Sequence, residues 1–516
     1  MAEKETGWLT LIIVTLSVFI IVIDKTFMNV AIYPLIRDLH TNIGTIQSII
    51  AIYSLILACL MILGSKLQNI LGRRKTFISG AVIYGIGTII AALSINSFML
   101  LFGWSILEGI GAALMMPATT SIISGSYTGE RRAFALGIIS SMASGAGTIG
   151  PIIGGFLTTF YTWRYAFGLE LVIIIVILLF SRVISVFPPY MKWSDIDIAG
   201  AIYSALGIFL FVLGILLLNN PKNWNIAPFL IISGIFLLII FYLSENNRIK
   251  NNKVPLLDIT LFRKPEFTLG NTARLLMNFT IGGVVFVIPV FVQGVLGVNP
   301  LTTGLALIPM SVGIFVMSFT AGKISSRVQA RYIMSLGFLV AIAGSLYLIF
   351  NFNANTTIIS MIPGILLLGI GMGIVFPHSA NIIFSVAKHE QQPDASGVLN
   401  TGVNLGSALG TAVLGVILIL GSFGSLAGGS TTLSAGNTSF HSNNSILEQF
   451  VQPNAQNTQI NPTAKAPNND LNTINAMKIS FYVVIIILII GLICSLLIPI
   501  QKKHPEHVKG EVPGEM

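Results

Sequence analysis

Long apolar stretches recur along the whole chain, separated by short segments that carry Gly, Pro, Lys or Arg. Fourteen of them are long enough to cross a bilayer: 8–34, 44–63, 77–95, 98–123, 134–160, 165–182, 198–218, 227–245, 267–293, 301–322, 332–351, 358–384, 395–422 and 479–500. A helix needs about 20 such residues to span the hydrocarbon core. The apolar residues run on continuously instead of alternating, so the pattern predicts helices and not strands. The first stretch lacks a small-residue cleavage site after a short apolar core and reads as a retained helix. One long polar tract, 424–477, is rich in Asn, Ser, Thr and Gly and poor in charge. Such a composition cannot build a core, which predicts a flexible extracellular loop. Its two sequons, at Asn437 and Asn443, fall in an Asn-rich tract where chance matches are common.

Composition sharpens this picture. Of 516 residues, 54% are hydrophobic and 9% charged, against about 25% charged in soluble domains. That excludes a soluble enzyme, a nucleic-acid binder and a disordered scaffold, and predicts an all-α polytopic membrane protein. The net charge of +9 follows topology and does not point to a nucleic-acid partner. With the N-terminus inside, 21 Lys and Arg fall in cytoplasmic segments, 5 fall outside and 2 lie within spans. The asymmetry places both termini in the cytoplasm and predicts a multi-pass protein of the plasma membrane. Cys59 and Cys494 both sit in apolar runs and offer neither a disulfide framework nor a metal site.

Internal repeats give the domain organisation. At an offset of 257, Lys66, Leu67 and Arg74 match Lys323, Ile324 and Arg331; at 260, Gly137, Gly150 and Gly155 match Gly397, Gly410 and Gly415. Two halves of six helices with a hairpin inserted between them account for both offsets. The expected units are a bundle at 1–190, an additional two-helix hairpin at 191–250, and a second bundle at 251–516 that carries the outer loop.

The motifs resemble the major facilitator superfamily, and within it the fourteen-helix drug:proton antiporter family. Asp24-Lys-Thr-Phe-Met-Asn29-Val30-Ala31 is similar to that family's first-helix signature. Gly150-Pro151-Ile-Ile-Gly154-Gly155 resembles the antiporter motif, and Phe291-Val-Gln293 through Pro309 resembles the ninth-to-tenth-helix passage. Trp163-Arg164-Tyr165 and Asp197-Ile-Ala-Gly200 match as well. The resemblance implies two six-helix bundles facing each other across a central cavity, with two added helices, and alternating access by rocking of the bundles. It assigns conformational roles to Asn69, Gly72, Arg73 and Arg74 in the loop motif and to Gly150, Pro151, Gly154 and Gly155. This chain departs from the family twice. Asn69 stands where the family has a latching Asp; it can still cap a helix but brings no charge. Ser105-Ile-Leu-Glu108-Gly109 stands where the family has R-x-x-Q-G, so an arginine implicated in proton coupling is absent.

Charges at bilayer depth are costly and by default functional. The candidates are Asp24 and Lys25 in the first span, Glu108 in the fourth, Glu170 in the sixth and Arg274 in the ninth. Counting rise along each span puts Asp24 and Glu108 near mid-depth, Glu170 nearer the outer surface, and Arg274 near His378 towards the inner side. Asp24 and Lys25, as neighbours, must point about 100° apart. Lys25 is expected to stand in for the missing arginine and pair with Glu108 or Glu170. No phosphate-cradling motif provides ATP drive, so no cofactor is expected beyond a proton gradient. The sequence thus predicts a monomeric secondary transporter, working in the lipid bilayer on a small-molecule substrate. It would export hydrophobic or amphipathic compounds by proton antiport. Three acids against two bases within the spans favour cationic cargo. An exporter of a metabolite, peptide or lipid with altered coupling, and a non-transporting receptor or scaffold, are the alternatives.

Overall fold

The computed structural model describes residues 8–428 and 467–499, apart from 128, 188, 190–191, 194–196, 219–220, 252, 325–328, 354 and 388–390. The described residues form helices and no strands. The first group comprises α1 (Trp8–Phe27), α2 (Ile32–Asp38), α3 (Ile43–Leu71), α4 (Arg73–Ala92), α5 (Ser97–Leu100), a π-helical segment (Leu101–Glu108), α6 (Gly109–Ser126), α7 (Gly129–Phe160) and α8 (Arg164–Phe180). A hairpin follows, α9 (Ile198–Leu217) and α10 (Ala227–Lys250). The last group is α11 (Pro265–Gly294), α12 (Pro300–Ile324), α13 (Ala330–Asn351), α14 (Ile358–Ser385), α15 (Gln392–Gly428) and α16 (Pro467–Leu497). Among the described residues, thirteen helices are long and apolar enough to cross a membrane. The expected fifth span, α7, is a continuous helix rich in Gly, Ser and Thr and is not among the thirteen.

Local chemistry sets the boundaries. Asn42 accepts from the Thr45 amide to cap α3, Asn96 caps α5 in the same way, and Thr357 with Ser360 forms a reciprocal box at the start of α14. Asp197, from the last of the matched motifs, caps α9 through the Gly200 amide (3.0 Å) and receives Arg248 at 3.3 Å. Gly72 has φ 88° and ψ 143°, which ends α3 and starts α4 in one step. Asn69 therefore does not cap; it lies inside α3, a turn short of its end. The helices flanking the polar tract are longer than expected: α15 runs to Gly428 and α16 starts at Pro467. The rest of the tract, with both sequons, lies outside the described residues.

Helices of the first group pack mainly on one another, as do those of the last. Their outward faces carry exposed apolar residues, including Phe98, Val172, Leu179, Phe350 and Ile359. The groups meet along two seams, α7 against α12 and α3 against α15. The repeated glycines mark both seams. Gly150 packs on Thr26 and Ile23 of α1, and Gly410 on Phe279 and Gly283 of α11, each against the first long helix of its own half. Gly155 abuts Pro300 and Leu301 of α12, while Gly415 abuts Gln47 of α3, each against the second long helix of the other half. The hairpin lies over the second seam, where Ile208, Val212 and Leu216 of α9 join a cluster with Ala51, Leu55 and Ala58 of α3 and Ala408 and Ala412 of α15.

Candidate functional site

Three carboxylates converge inside the first half. Asp24 of α1, Glu108 at the end of the π-helical segment and Glu170 of α8 each offer an oxygen, and these oxygens lie within 4.8 Å of one another. All three residues are at most 1% exposed. Glu170 is thus part of the cluster, buried where α8 tucks against α4 and α1.

Aromatic residues close the cluster. The Trp104 indole donates to Asp24 Oδ1 at 2.6 Å, and the Tyr84 hydroxyl donates to Glu170 Oε2 at 3.4 Å. Tyr53 stacks on Trp104 with ring centroids 4.7 Å apart and 2° between the planes. The wide π turn helps to assemble this arrangement, because it carries Trp104, Ser105 and Glu108 together. It is accommodated by close backbone approach: a Cβ on Gly87 would come within 2.6 Å of the Gly103 carbonyl and 2.8 Å of the Glu108 amide. Ser105, where the family has its arginine, donates to the Ile49 carbonyl at 2.8 Å and bridges to α3.

Several oxygens in the cluster are buried without a hydrogen-bond partner: Asp24 Oδ2, Glu170 Oε1 and both oxygens of Glu108. No cation pairs with these carboxylates among the described residues. A pair of unit charges about 5 Å apart repels by roughly 3–4 kcal/mol at an effective dielectric of about 20. Ionised together, the three would repel one another strongly unless a cation joined them.

Lys25 does not join it. Its ammonium crosses to the other half and donates to Asn404 Oδ1 of α15 at 3.4 Å. The expected pairing with Glu108 or Glu170 is therefore wrong, for a rotational reason: Asp24 turns into the bundle and Lys25, one residue on, turns out of it. Arg274 of α11 is also remote from the acids. It donates to the Phe376 carbonyl of α14 at 2.6 Å and lies 4.2 Å over the Phe376 ring. His378 bonds the Ile374 carbonyl through Nδ1 at 2.8 Å, leaving Nε2 without a partner.

The remaining motifs tie helices together. Thr26 bonds back to Val22 and Ile23 beneath Gly150, and Gly154 packs on Phe27. Gln293 of the ninth-helix passage donates to the Val30 carbonyl of the first-helix signature at 3.0 Å, so the two motifs meet across the halves. Pro151 meets Gly304 of α12. Arg73 donates to the Ser121 carbonyl at 2.6 Å and lies over the Phe187 ring; Arg74 is half-buried beside it. Trp163 and Arg164 both donate to Asp38 Oδ2. Sequence reasoning passed over Trp104, Tyr84 and Tyr53 because apolar spans collect aromatics anyway. The one available signal was a Trp four residues before a buried Glu.

Comparison with known proteins agrees with this architecture. The family model described as Major Facilitator Superfamily matches residues 14–411. The chain is 26% identical over 426 residues to the methylenomycin A resistance protein of Bacillus subtilis, covering 81% of this chain and 89% of that one. It is 28% identical over 412 residues to the multidrug efflux pump LfrA of Mycolicibacterium smegmatis, covering 80% and 81%. Among solved structures, a bacterial homolog of the human lysosomal transporter Spinster superposes with a TM-score of 0.62 at 16% identity, over 96% of this chain and 98% of that one. The peptide transporter POT in complex with sulfate gives 0.63 at 14% identity, over 93% and 94%; both share the fold. The family model covers most of the chain, and the relatives are resistance and efflux proteins: the chain belongs to the Major Facilitator Superfamily and is a multi-pass membrane transporter.

Proposed function

We propose that this transporter exports hydrophobic or amphipathic compounds in exchange for protons, by alternating access of its two halves. In this reading α7 is a fourteenth span, both termini are cytoplasmic, and a single copy works in the plasma membrane. The observation that carries it is the sealed cluster of Asp24, Glu108 and Glu170. Carboxylates with unpartnered oxygens, buried together inside the first half with no Lys or Arg on them among the described residues, form a proton-exchanging group, and no cofactor is needed besides the gradient. The relatives supply the cargo class: they include resistance, export and efflux proteins for antibiotics and other drugs. Ser105, where the family has arginine, favours a second reading, export with altered coupling.

The test uses inverted membrane vesicles acidified inside and offered methylenomycin A, tetracenomycin C and puromycin. Accumulation of at least one, abolished by a protonophore, is expected. Asp24→Asn keeps the shape and the Trp104 bond but removes a titrating group, and should insert normally yet lose pH-driven accumulation. Accumulation indifferent to the protonophore would establish the second reading. Unaltered pH dependence in Asp24→Asn would make that residue structural.

A further inference from the structure

The count of charges within the spans favours cationic cargo, yet the structure separates those charges by location. The acids are sealed in the first half behind Trp104, Tyr84 and Tyr53. Of the two cations, both only partly buried, Lys25 lies at the junction of the halves and Arg274 between α11 and α14 of the second half. Lys25 reaches from α1 to Asn404 of α15. Asn404 is held for this contact, because its own amide donates to the Asn400 carbonyl at 3.0 Å and leaves Oδ1 as the acceptor. Arg274 stands at the same level on the neighbouring helix: Gly406, two residues beyond Asn404, packs on the carbonyl of Leu275 and on Asn278.

Both cations are under-satisfied. An ammonium has three donors and a guanidinium five. Lys25 has one bond, to an uncharged amide. Arg274 has one, to a carbonyl, and its Nε is buried with no acceptor. Among the described residues neither pairs with a carboxylate. Several other described acids are committed elsewhere: Asp38 to Arg164, Asp197 to Arg248, Asp394 to Lys66, Glu245 to the Leu257 amide, and Asp258 to Thr260 and Gln391. Cations even partly withdrawn from water and left without a counter-charge cost stability and mark function.

We propose that the junction between the halves binds the anionic group of an amphipathic organic anion, a carboxylate, sulfonate or phosphate, with Lys25 from the first half and Arg274 from the second as its cationic contacts. The apolar body of the ligand lies against the partly exposed Phe376 ring, which Arg274 already covers. This deepens the reading above and rests on the chain being a proton-driven exporter. It also changes the energetics of the cycle. An anion leaving and a proton entering both carry positive charge inward, so the membrane potential and the pH gradient drive export together. One-for-one exchange of a monovalent cation for a proton would move no net charge.

The test compares two probes of one shape and opposite charge, 2-naphthalenesulfonate and 2-naphthyltrimethylammonium. Binding is read by thermal stabilisation and equilibrium dialysis on the purified full chain in phosphatidylcholine nanodiscs, which requires no proton coupling. The sulfonate should bind at least tenfold more tightly than the ammonium. Lys25→Gln and Arg274→Gln should each weaken the sulfonate tenfold or more, while Lys25→Arg and Arg274→Lys, which keep the charge and report folding, should retain most of it. Equal binding of the two probes, preference for the ammonium, no binding of either, or full sulfonate affinity in both Gln variants would overturn the proposal. Discs of phosphatidylglycerol separate sources of the anionic group: sulfonate binding that vanishes there assigns the site to a lipid headgroup and overturns the small-anion assignment. In proteoliposomes, a valinomycin-set interior-positive potential should raise sulfonate uptake severalfold. Intact selective binding with uptake indifferent to the pH gradient would sink proton antiport and leave the anion site standing.

Discussion

The two seams between the halves are built from one repeat and have diverged in chemistry. On one side Gly155 of α7 lies against the backbone of Pro300 and Leu301; on the other Gly415 of α15 lies against the side chain of Gln47. The first seam is closed by shape. It adds Pro151 against Gly304 and two bonds, from the Leu301 amide to Thr159 Oγ1 at 3.1 Å and from Ser311 Oγ to the Gly147 carbonyl at 3.4 Å. The second is closed by polar contacts: the Gln47 amide donates to the carbonyls of Thr411 (3.1 Å) and Ala412 (3.0 Å), and Lys66 pairs with Asp394 at 3.0 Å. Identical glycine spacing therefore does not mean identical mechanics. A backbone-lined seam resists any added atom, whereas a seam held by side chains can rearrange or release in steps.

The largest effect is expected at the seam that backbone shape dominates. A Cβ at Gly155 would come within 2.7 Å of the Pro300 carbonyl and 2.8 Å of the Leu301 Cα, and neither is the movable end of a side chain. Gly155→Ala should cost about 1–3 kcal/mol, the range for overpacking, and should stop drug accumulation in vesicles. Gly415→Ala meets the far end of the Gln47 side chain, which can move at the loss of its two bonds. It should cost about 1 kcal/mol and leave partial transport. Melting temperatures and vesicle uptake of the two variants check this. Equal damage from both would show that the seams do not differ as argued.

What the sequence revealed and what it hid follow from the range of the forces involved. Spans are local: a run such as Leu9–Val22 must be a buried or lipid-facing helix wherever it sits, and its length sets the crossing. Gly150, Gly155, Gly410 and Gly415 were legible as a repeat because backbone contact leaves glycine as its trace. The partners across the halves were not legible. Lys25 and Asn404 are 379 positions apart, and their meeting depends on how α1 is rotated in its bundle. The π turn at Leu101–Glu108 was hidden for the same reason, since it relies on Gly87 and Gly103 bringing two backbones together. Asn69 led the reading towards a lost latch, while the charge pair near this position is Lys66 with Asp394.

That pair is the second way to sharpen the comparison. Both side chains are 14% exposed, and Asp394 also accepts from the Asp258 amide at 3.0 Å, which draws in the segment that follows the hairpin. The pair joins the C-terminal part of α3 to the first turn of α15, with opposite sign at the two partners, so it can hold the halves together where Asn69 brings no charge. A double-mutant cycle of Lys66→Met and Asp394→Asn should give a coupling energy of about 1 kcal/mol, above the usual surface value because the pair is mostly buried. It should shrink in high salt. Each single variant should speed opening at this end, measured as labelling of a cysteine introduced at Asn400. Zero coupling, or labelling unchanged, would leave Gln47 as the main polar tie of that seam.

The smallest effect is expected from a contact that crosses no seam. Asp38 of α2 accepts from Trp163 Nε1 at 3.0 Å and from Arg164, both at the start of α8 in the same half. Partial burial pushes its carboxyl up, but the bonds from Arg164 and Trp163, with the Arg164 charge, outweigh this and hold it below the usual carboxylate range. A carboxylate lowered on folding stabilises the fold above its unfolded value near 3.9 and loses that contribution as pH falls through the folded value. Asp38 is 46% exposed, so screening limits its worth to under about 1 kcal/mol. Asp38→Asn should therefore melt slightly below the native protein at pH 7, and the gap should close as the solution is taken below pH 3. Because α2 and α8 belong to one half, uptake at pH 7 should be unchanged even where the melting temperature falls. Uptake that falls more steeply than stability would show that this end of the first half deforms during the cycle, and the rigid-half premise behind the comparison of the seams would fail with it.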